Sequence, residues 1–129
     1  MLDPKARILV VDDFVTMRRI MRNHLRHLGY TNVAEADDGA TALPMLKKEK
    51  FDLIICDWNM PRLSGLQLVE IIRQDEELKH IPFLMVTVET LKRNILKAVQ
   101  AGVTNYIAKP FSRETLKRKI ETIFPSLDQ

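Results

Sequence analysis

The sequence predicts an α/β fold, a doubly wound five-stranded parallel sheet with helices on both faces. Short apolar runs bounded by turn signals alternate along the chain with segments whose apolar residues recur at helical spacing. Strands that alternate with helices pair in parallel through right-handed crossovers, and the crossovers place helices on both faces of the sheet.

Three strands and two helices are predicted in the first half of the chain. The strands are Arg7 to Val11, Asn32 to Ala36 and Leu53 to Cys56. The first helix is indicated by Met17, Ile20, Met21, Leu25 and Leu28, with Gly29 as its left-handed stop. The second helix lies within DDGATALPMLKKEK. Because proline removes a helical hydrogen bond and clashes with the preceding turn, Pro44 predicts that this helix is short, kinked or begins late.

The second half continues the alternation with two strands and three helices. The strands are Pro82 to Val86 and Tyr106 to Ala108. The third helix is indicated by Leu66, Leu68, Val69, Ile71 and Ile72, and the fourth by Ile95, Leu96 and Val99 before Ala101-Gly102. The fifth is indicated by Leu116, Ile120, Ile123 and Phe124 before Pro125.

Length and composition are those of one small globular domain. The 129 residues, 46% apolar and 29% charged, predict a single domain over residues 1–129 with no separate output domain. No signal peptide and no apolar stretch of roughly 20 residues occurs, so a cytoplasmic protein is expected. The single cysteine, Cys56, is expected to be a small buried hydrophobe. The net charge of +3 is too small to indicate nucleic-acid binding, and basic residues such as Arg18 are expected on solvated helix faces.

Polar residues follow four of the predicted strands directly. They are Asp12 and Asp13, Asp57, Thr87, and Lys109. Ligands of open parallel sheets bind beyond the carboxyl ends of the strands, so these side chains are expected on one rim. Each alone has an ordinary explanation, such as a helix N-cap for Asp13 or Asp57 and a solvated loop position for Lys109. Together, carboxylates about 4 Å apart repel by roughly 4 kcal/mol at an effective dielectric of 20, which indicates a bound cation.

The chemistry of the rim favours Mg²⁺ and phosphoryl transfer. Mg²⁺ takes oxygen ligands and completes its octahedron with water and phosphate oxygens. No serine or cysteine with a histidine base is apparent, since His24, His27 and His80 fall away from the strand ends, and no phosphate-binding glycine loop occurs. The remaining nucleophile is a carboxylate, Asp57. It would form an acyl phosphate while Lys109 pairs with one phosphoryl oxygen and Thr87 donates a hydrogen bond to another.

At these residues the chain resembles the response-regulator receiver domain of two-component signalling. The matching segments span essentially the whole chain: VVDD at 10–13, ICDWNMP at 55–61, Gly65, VT at 86–87, and Lys109-Pro110-Phe111. The strings DDFVTMRRIMRN and AGVTNYIAKPF are similar to those of stand-alone chemotaxis regulators. The resemblance implies a flavodoxin-like sheet with strand order 2-1-3-4-5.

The resemblance also implies a function and a set of residue roles. Asp57 would accept a phosphoryl group from a phosphohistidine on the chemotaxis histidine kinase. Mg²⁺ would be bound directly by Asp13, Asp57 and the backbone carbonyl of Asn59, and by Asp12 through water. Thr87 and Tyr106 would form a coupled switch that changes the affinity of the face around the fourth helix, fifth strand and fifth helix. Such a protein is a monomeric signalling protein that catalyses only its own phosphorylation and dephosphorylation.

The implied partners are the kinase, the flagellar motor switch protein and a phosphatase, with no membrane and no nucleic acid. Several residues depart from the usual pattern: Val88 beside the switch threonine, and Thr90, Asn105, Ala108, Lys117 and Arg118 on the output face. Val88 predicts an altered phosphate lifetime through access to Asp57 or the threonine shift. The others predict weak binding of the motor switch protein.

Three alternative functions stay open. A phosphate sink would share every catalytic residue and differ only in the partner face. A phosphatase of the haloacid-dehalogenase type needs a second aspartate two positions after the nucleophile, where this chain has Asn59. The basic helices would also suit an electrostatic nucleic-acid module, whose binding falls steeply with salt.

Overall fold

The computed structural model describes residues 2–88 and 92–125, and within them five strands form one parallel sheet. The strands are β1 (Ile8–Val11), β2 (Val33–Ala36), β3 (Leu53–Asp57), β4 (Phe83–Thr87) and β5 (Asn105–Ala108). The helices are α1 (Val15–His27), α2 (Gly39–Lys48), α3 (Gly65–Arg73), α4 (Lys92–Ala101) and α5 (Arg113–Ile123). The sheet order is β2-β1-β3-β4-β5, so the predicted fold class and strand order are confirmed.

The central strands are buried on both faces of the sheet. Every residue of β1, β3 and β4 is buried. Alternate side chains of these strands enter two separate apolar clusters because successive residues of a strand point to opposite faces. One cluster joins Leu9, Ile54 and Phe83 to Leu68 and Ile72 of α3. The other joins the alternate strand residues to α1 and α5 through Met21, Leu25, Leu116 and Ile120.

Two glycines end helices as their positions in the sequence predict. Gly29 follows α1 with φ +101°, and Gly102 follows α4 with φ +107°. Both lie in the left-handed region, which glycine enters without a steric penalty.

Pro44 predicted that the second helix is short, kinked or begins late, and the structure excludes the late start. Helix α2 begins at Gly39, five residues before Pro44, and runs for ten residues. Its start is fixed by Asp38, whose Oδ1 accepts a hydrogen bond from the Thr41 N–H at 2.9 Å. An N-cap of this kind stabilises a helix start, and the proline costs the hydrogen bond that the Ala40 carbonyl would have accepted.

Two apolar residues that predicted the fourth helix do not contribute to the core. Leu96 and Val99 are 54% and 55% exposed, whereas Ala98 between them is buried. Their spacing correctly predicted a helix, but α4 lies against α3 and enters the apolar core through Ala98. The larger side chains therefore lie on the surface. Among the described residues, no helix combines the length and the hydropathy that a membrane span requires.

Candidate functional site

Three carboxylates meet at the carboxyl edge of the sheet. Strands β1 and β3 are neighbours in a register that pairs Val11 with Cys56, so Asp12 and Asp57 follow at the same level. Asp12, Asp13 and Asp57 each offer one carboxylate oxygen, and the three oxygens lie within 4.8 Å of one another. Asp12 and Asp57 are buried, whereas Asp13 is more open to solvent. The sequence-predicted convergence of these residues is therefore present.

Lys109 reaches the carboxylate cluster from the end of β5. Its Nζ lies 3.0 Å from Asp57 Oδ1 and 3.5 Å from Asp12 Oδ2. Burial by itself would lower the pKa of Lys109, but the carboxylates of Asp57 and Asp12 outweigh burial and raise it. The ammonium group is therefore held in its charged form beside the carboxylates. The Lys109–Pro110 peptide bond is cis.

One ammonium group does not balance three carboxylates. Burial raises the pKa of Asp57 above its usual value, Lys109 opposes this effect, and Asp12 and Asp13 add to it by repulsion. Asp13 Oδ1 is also buried with no hydrogen-bond partner among the described residues. A buried oxygen with no donor beside further carboxylate oxygens suits a small hard cation. The residues present therefore fit Mg²⁺.

The interpretation of the aspartates as helix caps does not hold for Asp13 or Asp57. The N-cap of α1 is Phe14, with no side-chain cap hydrogen bond. The N-cap of α3 is Ser64, which forms a capping box with Gln67. Ordinary capping therefore does not account for either carboxylate.

Asp12 is held in place by the Phe14 N–H and by Arg18, a basic residue that was expected on a solvated helix face. Its Oδ1 accepts from the Phe14 N–H at 2.9 Å, and its backbone carbonyl accepts from Arg18 Nη1 at 2.6 Å. Arg18 in turn donates through Nε to Glu35 at 3.0 Å. The side chain of Arg18 is only 16% exposed. No sequence signal indicated this role, because Glu35 lies on a different element.

The loop between β3 and α3 carries Asn59, which is exposed. The Gly65 N–H donates to the Trp58 carbonyl at 2.8 Å and closes the base of this loop. A Cβ atom at position 65 would lie 2.3 Å from the Asp57 carbonyl oxygen, so only glycine fits there. Gly65 thus allows the first turn of α3 to pack directly against the end of β3.

Thr87 and Tyr106 lie on the neighbouring strands β4 and β5. Thr87 ends β4, is 2% exposed, and its carbonyl accepts from the Lys109 N–H at 2.8 Å. Tyr106 is partly buried in β5, and Lys119 Nζ lies 4.9 Å from the centre of its ring.

The residues that depart from the family pattern lie mostly on the surface. Val88 is 61% exposed and lines a groove of about 390 Å³ together with Lys109, Met17, Ile20, Pro110 and Phe111. Ala108, Lys117 and Arg118 are exposed, and Asn105 is partly buried. Thr90 lies outside the described residues.

None of the three histidines belongs to the carboxylate cluster, which consists of Asp12, Asp13 and Asp57. His24 packs against Phe111, with ring centroids 6.0 Å apart, and His27 and His80 are exposed. Cys56 is a free, buried thiol whose pKa is raised well above its usual value by burial, so it is a packing residue as expected.

The comparison with known protein families agrees with this geometry. The family model described as the response regulator receiver domain matches residues 8–121. The chain belongs to this family. The receiver domain therefore covers all five strands and nearly all of α5.

Individual relatives of this receiver domain are similar over nearly their whole length. Chemotaxis protein CheY-3 of Vibrio cholerae is 56% identical over 126 residues, covering 98% of this chain and 97% of the relative. Chemotaxis protein CheY of Pseudomonas aeruginosa is 58% identical over 118 residues, covering 92% and 95%. A solved receiver domain of a Pseudomonas aeruginosa sensor histidine kinase, with a magnesium ion coordinated in its active site cleft, is 30% identical with a TM-score of 0.85. That comparison covers 95% of this chain and 99% of the other.

Proposed function

We propose that this receiver domain is a chemotaxis response regulator that accepts a phosphoryl group on Asp57 from a phosphohistidine of a histidine kinase. Membership of the receiver-domain family and the sequence identity of 56% and 58% to two chemotaxis proteins support a role in chemotaxis signalling. The observation that carries the chemistry is the buried Asp57 carboxylate at the strand end, 3.0 Å from Lys109 Nζ and clustered with Asp12 and Asp13.

The transfer itself is a displacement at phosphorus. A carboxylate oxygen of Asp57 forms the new P–O bond while the P–N bond of the phosphohistidine breaks, and its electron pair stays on the histidine ring. Lys109, already beside Asp57, pairs with a phosphoryl oxygen. The Thr87 hydroxyl donates to another. Water later hydrolyses the acyl phosphate and restores the carboxylate.

Asp13, Asp57 and the backbone carbonyl of Asn59 would hold Mg²⁺, with Asp12 acting through a water molecule. The bound ion supplies positive charge that neutralises the transferring phosphoryl oxygens. The buried Asp13 oxygen without a donor supports this assignment. The Phe14 N–H donates to the Asp12 carboxylate and Arg18 donates to the Asp12 backbone carbonyl, and these contacts orient Asp12.

Phosphorylation would then operate a switch in β4 and β5. The acyl phosphate adds a charge of roughly −1.5 to −2 beside Thr87 and Lys109. Thr87 moves toward the phosphate, Tyr106 turns inward, and the face formed by α4, β5 and α5 changes its affinity for a partner. Leu96 and Val99, exposed on α4, provide apolar surface for such a partner.

The partner on this face is the flagellar motor switch protein, bound weakly because Asn105, Lys117 and Arg118 depart from the usual pattern. Pull-down of that protein's N-terminal peptide by acyl-phosphate-treated protein tests this point, and an affinity typical of the pathway would contradict weak binding. A phosphate sink without motor output is the second candidate function and is favoured by the same departures. A single domain over residues 1–129, a monomer and a cytoplasmic location belong to this proposal.

The experiment that tests the chemistry is phosphorylation by a labelled small acyl phosphate with Mg²⁺. We expect a hydroxylamine-labile label on the unmodified protein and none on Asp57→Asn. Asp52→Asn, which alters an exposed aspartate before the opposite end of the same strand, is the control and should be labelled normally. A label that persists on Asp57→Asn would place the nucleophile elsewhere.

The two remaining alternatives are separated by simple assays. A haloacid-dehalogenase-type phosphatase would release phosphate catalytically from added phosphate esters, whereas a receiver domain turns over only its own acyl phosphate. A nucleic-acid module would bind DNA with an affinity that falls steeply with salt, and we expect no such binding.

A further inference from the structure

Asp38 and Arg62 form an ion pair that the proposed mechanism does not use. Asp38 precedes α2, and its side chain is 3% exposed. Arg62 lies in the loop between β3 and α3, and its Nε donates to Asp38 Oδ2 at 2.6 Å. Arg62 Nη2 contacts the same oxygen, while Asp38 Oδ1 accepts from Thr41. One buried carboxylate therefore caps α2 and holds the loop at once.

The backbone of Arg62 indicates that this pair keeps the loop in an otherwise unfavourable conformation. Its φ of +66° makes it the one non-glycine residue in the left-handed region among the described residues. A long side chain has no local interaction that favours this region, so the conformation persists only where the surroundings enforce it. Charge-assisted hydrogen bonds to a buried carboxylate provide that constraint.

The Asp38–Arg62 pair holds the loop between β3 and α3 at the end opposite its base. The hydrogen bond from Gly65 to Trp58 closes the base. At the other end, Leu63 packs so closely on α2 that a Cβ atom at Gly39 would lie 2.8 Å from Leu63 Cδ2. Asn59 lies between these two attachments, so the position of its backbone carbonyl depends on both.

We propose that the Asp38–Arg62 pair is a positioning device that presents the Asn59 carbonyl for Mg²⁺. This inference rests on the proposed function, because it assumes the metal site at Asp13, Asp57 and Asn59. Neither Asp38 nor Arg62 would touch the ion. Without the Asp38–Arg62 pair the loop would be free to take other conformations. The free energy needed to order the loop at each binding event would then weaken Mg²⁺ binding. Partners that orient ligands in this way typically change metal affinity about 10- to 100-fold.

The test measures the midpoint of the Mg²⁺ titration from Trp58 fluorescence in three variants: Arg62→Gln, Asp38→Asn and the double variant. We expect each single variant to bind Mg²⁺ about tenfold more weakly. The double variant should be no weaker than either single one, because both remove the same interaction. Asn at position 38 can still accept from Thr41, so α2 keeps its cap. Lys79→Gln, which removes an exposed ion pair with Glu76, is the matched control with an unchanged midpoint.

A second readout follows the loop without metal. Amide hydrogen exchange across residues 58–65 should be faster in Arg62→Gln and Asp38→Asn than in the unmodified protein. Unchanged Mg²⁺ midpoints or unchanged exchange, even with lowered stability, would overturn the positioning role and leave a purely structural pair. If Arg62→Gln fails to fold, Asp38→Asn decides the question. A flat titration of the unmodified protein would instead overturn the proposed metal site.

Discussion

The buried carboxylate of Asp38 accepts hydrogen bonds from both Thr41 and Arg62, and these contacts set its pKa. Burial by itself would raise the pKa of Asp38, but the Thr41 N–H and the Arg62 guanidinium outweigh burial and hold that pKa below its usual value. Its ionised form is therefore favoured by the folded state. The stabilisation is present above the unfolded-state pKa of about 3.9 and is lost as the pH falls through the lower folded-state value.

The lowered pKa of Asp38 in the folded state leads to a prediction for Asp38→Asn. We expect the variant to be less stable than the unmodified protein near about pH 7, and the difference in free energy of unfolding to shrink as the pH falls below about 4. Urea denaturation at a series of pH values measures the difference. A gap that stays constant down to about pH 2 would mean that Asp38 does not contribute through its charge.

In helix α2, the low helix propensity of one residue is overcome by the tertiary structure. Pro44 lies inside α2, yet the helix continues through it to Lys48. The buried residues Ala42 and Leu46 pack into the core on one side, and Pro44 itself is exposed. Packing and the Asp38 cap therefore outweigh the loss of one backbone hydrogen bond.

Replacing Pro44 with alanine should stabilise the protein. The variant regains the hydrogen bond to Ala40 and loses the ring clash, while the more flexible unfolded chain offsets part of the gain. We expect the free energy of unfolding to rise by about 1–2 kcal/mol, measured by urea denaturation. Pro4→Ala, at an exposed position outside any helix, is the control and should give no gain. A loss of stability in Pro44→Ala would show that the proline is needed for the path of α2.

At the scale of the whole molecule, the fold brings like charges together at one edge of a well-packed sheet. The two apolar clusters bury the strands on both faces and leave the acidic groups to converge where β1 and β3 end. Carboxylate oxygens within 4.8 Å of one another repel by roughly 3 kcal/mol per pair at an effective dielectric of 20. Lys109 offsets only part of this cost.

The repulsion among the carboxylates predicts that Asp13→Asn stabilises the metal-free protein and loses most of the stabilisation by Mg²⁺. Without metal, Asp13→Asn should raise the free energy of unfolding by on the order of 1 kcal/mol, because it removes repulsion and leaves the Lys109 contacts intact. Mg²⁺ at tenfold above its Kd should stabilise the unmodified protein by about 1.4 kcal/mol and the variant by much less.

Urea denaturation in EDTA and in Mg²⁺ measures both effects. Asp3→Asn, at an exposed position before β1, is the control and should change neither value appreciably. Lower stability of Asp13→Asn in EDTA would mean that the three carboxylates do not repel one another as their distances imply.

Features that depend on local order along the chain could be predicted from the amino-acid sequence alone. Alternating apolar runs and helical spacing predicted all ten elements, and Gly29 and Gly102 marked two helix ends. The residues that follow each strand predicted the carboxylate cluster with Lys109, because parallel strands bring their carboxyl ends to one edge.

Tertiary packing sets which side chains distant in the sequence contact one another. Arg62 reaches Asp38 across 24 positions, and Arg18 reaches Glu35 across 17. Arg73 likewise donates to the carbonyls of Gly102 and Ile81. A periodic pattern identifies the face on which a residue lies but not the partner that approaches it from another element. These pairs depend on how helices and loops pack, which no local spacing encodes.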